Sequence, residues 1–121
     1  MDELAFTFRK SQRIGGKSAF NAVFEHRQRS FQGPLGVYVL PNGLPITRLG
    51  ISVSRRIGIA PVRVRFKRLI REAFRLSQHT LPSGYDVVVV PKPHRAMALS
   101  EYQTLLCEAI AKACAKGGPT P

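Results

Sequence analysis

The chain has 121 residues, 44% of them hydrophobic, with 19 Lys and Arg against 7 Asp and Glu, a formal net charge of +12. That length fits one domain and that apolar content can bury a core, which excludes both a multidomain enzyme and a disordered tail. So one-sided a charge repels itself in the compact state and is relieved by a polyanion, which makes nucleic acid the leading partner, ahead of an anionic membrane surface or an acidic protein.

The first ten residues carry acids early and no uninterrupted apolar run, so no secretory signal is expected. Residues 1–12 read as a basic arm on a single domain spanning 1–121. Ser18 is placed to cap a first helix running to His26, with Ala19, Phe20, Val23 and Phe24 at helical spacing. Residues 27–32 read as a basic loop and residues 35–40 as a strand. Pro41-Asn42-Gly43 then supplies the turn chemistry of a tight hairpin. Residues 48–54 alternate cleanly: Leu49, Ile51 and Val53 on one face, Gly50, Ser52 and Ser54 on the other. The small-residue face admits close approach by a helix or an RNA backbone, or is simply solvated.

The strongest helix covers residues 62–76, with Pro61 at its first position. Val62, Phe66, Leu69, Ile70, Ala73 and Phe74 form one apolar stripe. Arg68, Arg71 and Arg75 fall on the opposite side, Arg65 and Lys67 flank them, and Arg63 sits at the edge of the stripe. Pro82-Ser83-Gly84 breaks the chain. Residues 85–90 follow as an apolar strand without alternation, which implies burial on both faces. The run is far too short to span a bilayer. A last helix opens at Ser100 with Gln103 completing a capping box, and carries the stripe Tyr102, Leu105, Leu106, Ala109, Ile110 and Ala113. Gly117-Gly118 ends it, leaving residues 116–121 as a frayed tail. Cys107 and Cys114, seven apart on that helix, are too distant to bridge and read as reduced packing residues, in keeping with a cytoplasmic protein and no membrane partner.

Catalytic chemistry is what the pattern lacks. The acids Asp2, Glu3, Glu25, Glu72, Asp86, Glu101 and Glu108 are scattered, and His26, His79 and His94 stand alone. Neither a carboxylate cluster for metal ions nor a histidine acid–base pair is assembled, and the cysteines have no zinc spacing. No catalytic and no metal-ligating residue is therefore assigned. Residues 55–75, by contrast, hold eight cations opposed by Glu72 alone. Arginines crowded on one helix face without acids to pair with point to phosphate binding. Phe20, Phe24 and Tyr38 are each explained by core packing, but beside such a field they also suit a stacking platform for single-stranded RNA.

Residues 49–74 read LGISVSRRIGIAPVRVRFKRLIREAF. This resembles the protein subunit of bacterial ribonuclease P, whose pattern is a Gly-Leu-Ser-Val-Ser-type strand, two basic residues and Gly, then Arg-Asn-Arg, Lys-Arg and Arg-Glu-Ala-Phe. The likeness runs in order over residues 13–115. Val64 and Ile59 stand where that family has Asn. The resemblance implies an α+β fold, a two-layer sandwich of three helices and a four-stranded mixed sheet similar to the second domain of ribosomal protein S5, with a left-handed βαβ crossover. It implies RNA binding by Arg55, Arg56, Arg63, Arg65, Lys67, Arg68 and Arg71, and contact with the 5′ leader of precursor tRNA by Phe20, Phe24 and Tyr38. It also implies that the RNA subunit performs the cleavage with Mg²⁺ held mainly by RNA, while the protein binds that RNA and the leader. A structural ribosomal module or another RNA-binding protein on the same fold is the alternative.

Overall fold

The computed structural model describes residues 12–116. Its elements are α1 (Lys17–His26), β1 (Gln28–Gln32), β2 (Leu35–Pro41), β3 (Arg48–Ile51), a 3₁₀ turn (Arg55–Ile57), α2 (Ala60–Ser77), β4 (Tyr85–Pro91) and α3 (Leu99–Ala115). The four strands form a mixed sheet in the order β1-β2-β4-β3, antiparallel throughout except for the parallel β3/β4 pair. A parallel pair needs a long crossover, and α2 supplies it.

Register assigns the two faces. Arg29, Tyr38, Val88 and Gly50 pair in one row across the four strands, and so share a face. Val88 packs there with Val23, Ile14, Phe20, Phe24 and Tyr38 beneath α1. Val37, Val39, Val87, Val89 and Leu49 point the other way, into the main core against Phe66, Ile70, Phe74, Tyr102, Leu106 and Ile110 of α2 and α3. The sheet and these two helices are the expected sandwich, and α1 lies over the opposite face, on β2 and β4. β4 is thus central, with Val87, Val88 and Val89 all fully buried, which is why its sequence shows no alternation. Each such valine contributes about 1.5–3 kcal/mol.

Several local expectations are corrected. The helix α1 starts at Lys17 with Gly16 at its cap, and no side chain caps it; Ser18 is already inside the first turn. Residues 28–32 are not loop but the edge strand β1, joined to β2 by the turn at Gly33 and Pro34, with Gln32 opposite Leu35. Its inward positions are polar because they meet the end of α3, where Gln28 Nε2 donates to the carbonyls of Ala113 (2.8 Å) and Cys114 (3.2 Å). The Pro41-Asn42-Gly43 segment turns but closes no hairpin, since β4 lies between β2 and β3. Asn42 instead folds the connection, its Oδ1 accepting from Leu44 N (2.8 Å) and its Nδ2 donating to Ile46 O (3.2 Å). β3 ends at Ile51, although Ser52 N still donates to Val89 O at 2.9 Å.

In α3 the cap residue is Ala98, not Ser100. Alanine offers no side-chain acceptor, so only Glu101 Oε1, 3.4 Å from Ala98 N, serves the cap. Gln103 faces Ser77 on α2 instead. Cys107 and Cys114 are free, and burial pushes the Cys114 thiol up to about 11, as suits a packing residue. The arm and the tail lie outside the described residues except for their inner ends. There Gln12 Nε2 donates to Oε1 of Gln78, just past the end of α2 (2.8 Å), and Lys116 N caps α3 on the carbonyls of Lys112 and Ala113. Among the described residues no helix is long and apolar enough to cross a membrane.

Candidate nucleic-acid interface

Helix α2 buries Phe66, Ile70, Ala73 and Phe74 and turns its cations outward. Arg65, Arg68, Arg71 and Arg75 line one open groove of about 660 Å³, which Arg13 joins from the segment that precedes α1. Arg13 reaches it because its backbone bridges in parallel to Leu49 at the β3 edge, with Ile14 N donating to Leu49 O at 3.0 Å. Nothing periodic in the arm announces this residue. Burial first, then the like charges of Arg13 and Arg68, pull Arg71 below the ordinary guanidinium value. Partial burial thus disfavours the Arg71 charge most, the neighbouring cations add to it, and an anion would offset both.

Among the described residues, Arg75 is the one cation of the helix in an ion pair with an acid. Its Nε and Nη2 lie 2.9 and 2.6 Å from the two oxygens of Glu72, and this pair holds the Glu72 carboxyl below the usual carboxylate range. Arg55, Arg56, Arg63, Arg65, Lys67, Arg68 and Arg71 have no ion pair among the described residues. Arg55 and Arg56 are exposed on the 3₁₀ turn, beside the N-terminus of α2. Arg63 is half-buried, with its Nε enclosed and without a hydrogen-bond partner. Ile59 and Val64 are 72% and 44% exposed beside these cations.

The aromatic residues lie on the α1 face of the sheet. Phe24 meets Tyr38 edge to face at 4.9 Å between ring centroids. Phe20 lies over Gly50, where an added Cβ would come within 2.5 Å of Phe20 Cζ. The small-residue face of β3 therefore receives a side chain of α1. Replacing Gly50 by Ala is expected to force the Phe20 ring off the sheet and cost about 1–2 kcal/mol. A drop in Tm of roughly 5 °C would register it, and an unchanged Tm would mean that the ring has room to move.

The two residue sets meet. A hollow of about 130 Å³ at the β3 edge is lined by Phe20 and Gly50 on one side and by Arg13, Lys67 and Arg71 on the other. Arg55, Arg56 and Arg63 line neither this hollow nor the α2 groove. Among the described residues no three His, Cys, Asp or Glu side chains gather as they would to hold a metal ion.

Residues 8–115 match the family model described as Ribonuclease P. The chain is 46% identical over 86 residues to the ribonuclease P protein component of Caldanaerobacter subterraneus, covering 71% of this chain and 72% of that one. It is 38% identical over 100 residues to that of Desulfovibrio desulfuricans, covering 81% and 77%. Among solved structures, the ribonuclease P protein of Staphylococcus aureus superimposes with a TM-score of 0.72 at 29% identity, over 86% of this chain and 96% of the other. That of Thermotoga maritima gives 0.69 at 28%, over 79% and 92%.

Proposed function

The chain belongs to the bacterial family of ribonuclease P protein components, and from that premise we propose that it serves as the RNA-holding subunit that cleaves no bond itself. In this reading the α2 groove grips the catalytic RNA subunit, and the aromatic face receives the 5′ leader of precursor tRNA. The observation that carries it is the junction at the β3 edge, where Lys67 and Arg71 share a hollow with Phe20. The groove and the hollow share Arg13 and Arg71, so the two RNAs assigned to the two surfaces would lie side by side at that boundary. Arginine forks suit phosphate oxygens bidentately, and ring faces suit unpaired bases, so each surface has the chemistry of its assigned ligand.

Among the described residues, no set of side chains fits a resident Mg²⁺ site. A hard cation takes several oxygen ligands, usually carboxylates. Two of the chain's acids, Glu72 and Asp86, are already bonded to Arg75 and Arg48. Mg²⁺ in the holoenzyme is accordingly assigned to RNA oxygens. The protein's part is to bind, orient and neutralise phosphates that would otherwise repel one another.

Reconstitution tests the proposal. Protein alone should leave precursor tRNA intact, and addition of a cognate RNA subunit should restore removal of the leader at low Mg²⁺. The assembled enzyme should bind leader-bearing tRNA more tightly than mature tRNA. Phe20→Ala should remove about 1–3 kcal/mol of that preference if a base stacks there. Cleavage by the protein without RNA, or equal affinity for both tRNA forms, would defeat the assignment.

A further inference from the structure

Beyond Phe24 and Tyr38, the α1 face of the sheet continues onto the edge strand β1, which α1 leaves bare. Phe31 stands there, 49% exposed. A phenylalanine so open to water on a strand of otherwise polar residues calls for a reason. Its ring lies on Gly36, the residue opposite it in register, where an added Cβ would come within 2.9 Å of Phe31 Cε1. The same ring meets Tyr38 edge to face at 6.3 Å. Phe24, Tyr38 and Phe31 therefore form a continuous aromatic row running outward from the hollow at Phe20.

A cation completes the outer end. Lys92 Nζ lies 5.4 Å from the Phe31 ring centroid. Its backbone is fastened on both sides: Lys92 N donates to Pro34 O in the β1–β2 turn (2.8 Å), and Lys92 O accepts from His94 Nδ1 (2.6 Å). His94 in turn is seated by Tyr102 Oη at 2.8 Å from its Nε2 and by the Phe66 ring at 4.9 Å. The ammonium thus starts from a fixed point above the ring. Arg29, opposite Tyr38 on the same face, adds a second positive charge.

We infer that Phe31 and Lys92 form a further nucleotide site, in which Phe31 stacks a base of single-stranded RNA and Lys92 meets the adjoining phosphate. The site rests on the reading that the leader crosses the aromatic face, and it extends that path outward, away from the α2 surface given to the catalytic RNA and so from the bond that RNA would cut. An aromatic ring and a cation side by side are what sequence-tolerant single-strand binding uses. A purely structural role is the competing account: a large side chain on an edge strand shielding the glycine next to it. The two accounts differ in what they require of the side chain. Leucine covers Gly36 as well as phenylalanine does but offers no ring face, whereas tryptophan offers a larger one.

The test uses the holoenzyme reconstituted with its RNA subunit, and precursor tRNAs whose leaders lengthen one nucleotide at a time. Wild type should gain affinity with each added nucleotide until the row is filled. Phe31→Leu should reach its plateau sooner and lose roughly 5- to 10-fold on long leaders, the low end of what a stacked base contributes. It should match wild type on the shortest leaders and in Tm, and Phe31→Trp should restore the long-leader affinity. Lys92→Ala should lower the salt slope on long leaders by about 0.7, one phosphate on a single strand. Equal binding by Phe31→Leu and wild type at every length, while Phe20→Ala still loses leader preference, overturns the site and leaves the leader path intact. A loss that is the same for all lengths, mature tRNA included, overturns it in favour of the shielding role. Wild-type affinity that ignores the leader overturns both.

Discussion

Replacing Arg65 and Arg68 together by alanine is expected to raise the Kd for the RNA subunit roughly a hundredfold or more. Both side chains line the α2 groove, and neither has an acidic partner among the described residues. Hydrogen bonds to charged groups contribute about 1.5–3 kcal/mol each, so losing two forfeits about 3–6 kcal/mol of binding. Phosphate binding by cations weakens with salt, so each lost phosphate contact should also flatten the slope of log K against log salt by about one. Binding isotherms at several salt concentrations give both quantities at once. An unchanged slope would mean that these guanidinium groups face water in the complex and that another surface holds the RNA. The fold should not suffer, because both side chains point away from the core; relief of repulsion with Arg71 acts in favour of stability.

Asp86→Ala should be among the most damaging single substitutions to stability. Asp86 sits on central β4, with its side chain 7% exposed. Arg48 Nε and Nη2 reach its two oxygens at 2.8 and 2.6 Å, and Asn42 Nδ2 adds a third bond at 2.9 Å. One carboxylate therefore ties β4 to β3 and to the β2–β3 connection. Breaking a buried pair strands the surviving charge and costs about 3–5 kcal/mol. The lower figure is expected here because the Arg48 side chain is 30% exposed and can turn to water.

The same carboxyl governs an acid response. Burial pushes its pKa up, but the bonds from Arg48 and Asn42 outweigh burial and hold it below the ordinary value of 3.8. A group that titrates lower when folded contributes its full stability above the unfolded-state value and loses it as pH falls through the folded one. Stability from this site should be complete above about pH 4 and decline below it. Chemical denaturation across that window in wild type and Asp86→Ala should show the difference between them shrinking as pH drops. A constant difference would mean that the charge is not what binds the strands together.

The long middle helix was readable in the chain because its pattern is local. Six apolar positions at helical spacing and a guanidinium-rich opposite side leave one way to orient it, and Phe66, Ile70, Ala73 and Phe74 are buried as that pattern requires. The valine run of β4 likewise announced burial on both faces. What escaped depends on partners distant in sequence. β1 hid because its inward residues Gln28, Ser30 and Gln32 are polar, and Gln28 serves carbonyls at the end of α3 rather than filling a core. With β1 unseen, Phe31 could not be placed beside Tyr38. The Asn42-Gly43 signal described a turn correctly, but a turn does not say which strand lies next in the sheet, and β4 arrives there from much later in the chain. Arg13 was out of reach for the same reason: the bridge of its backbone to Leu49, distant in sequence, brings it to the groove. Gly50 signalled a close approach, and only the fold identifies the visitor as Phe20.

The parallel pairing of β3 with β4 bears on how the molecule assembles. Arg48 and Asp86, which open that ladder, are 38 residues apart, and the segment between them is the one that carries the crowded guanidinium groups. Closing the loop spends chain entropy before the strand contacts reward it. It must also be closed against cationic repulsion gathered within the loop itself. The β2/β4 ladder encloses the same segment, so both pairings of β4 should close more readily when counterions offset that repulsion, and a polyanion seated on α2 is expected to favour the folding of its holder.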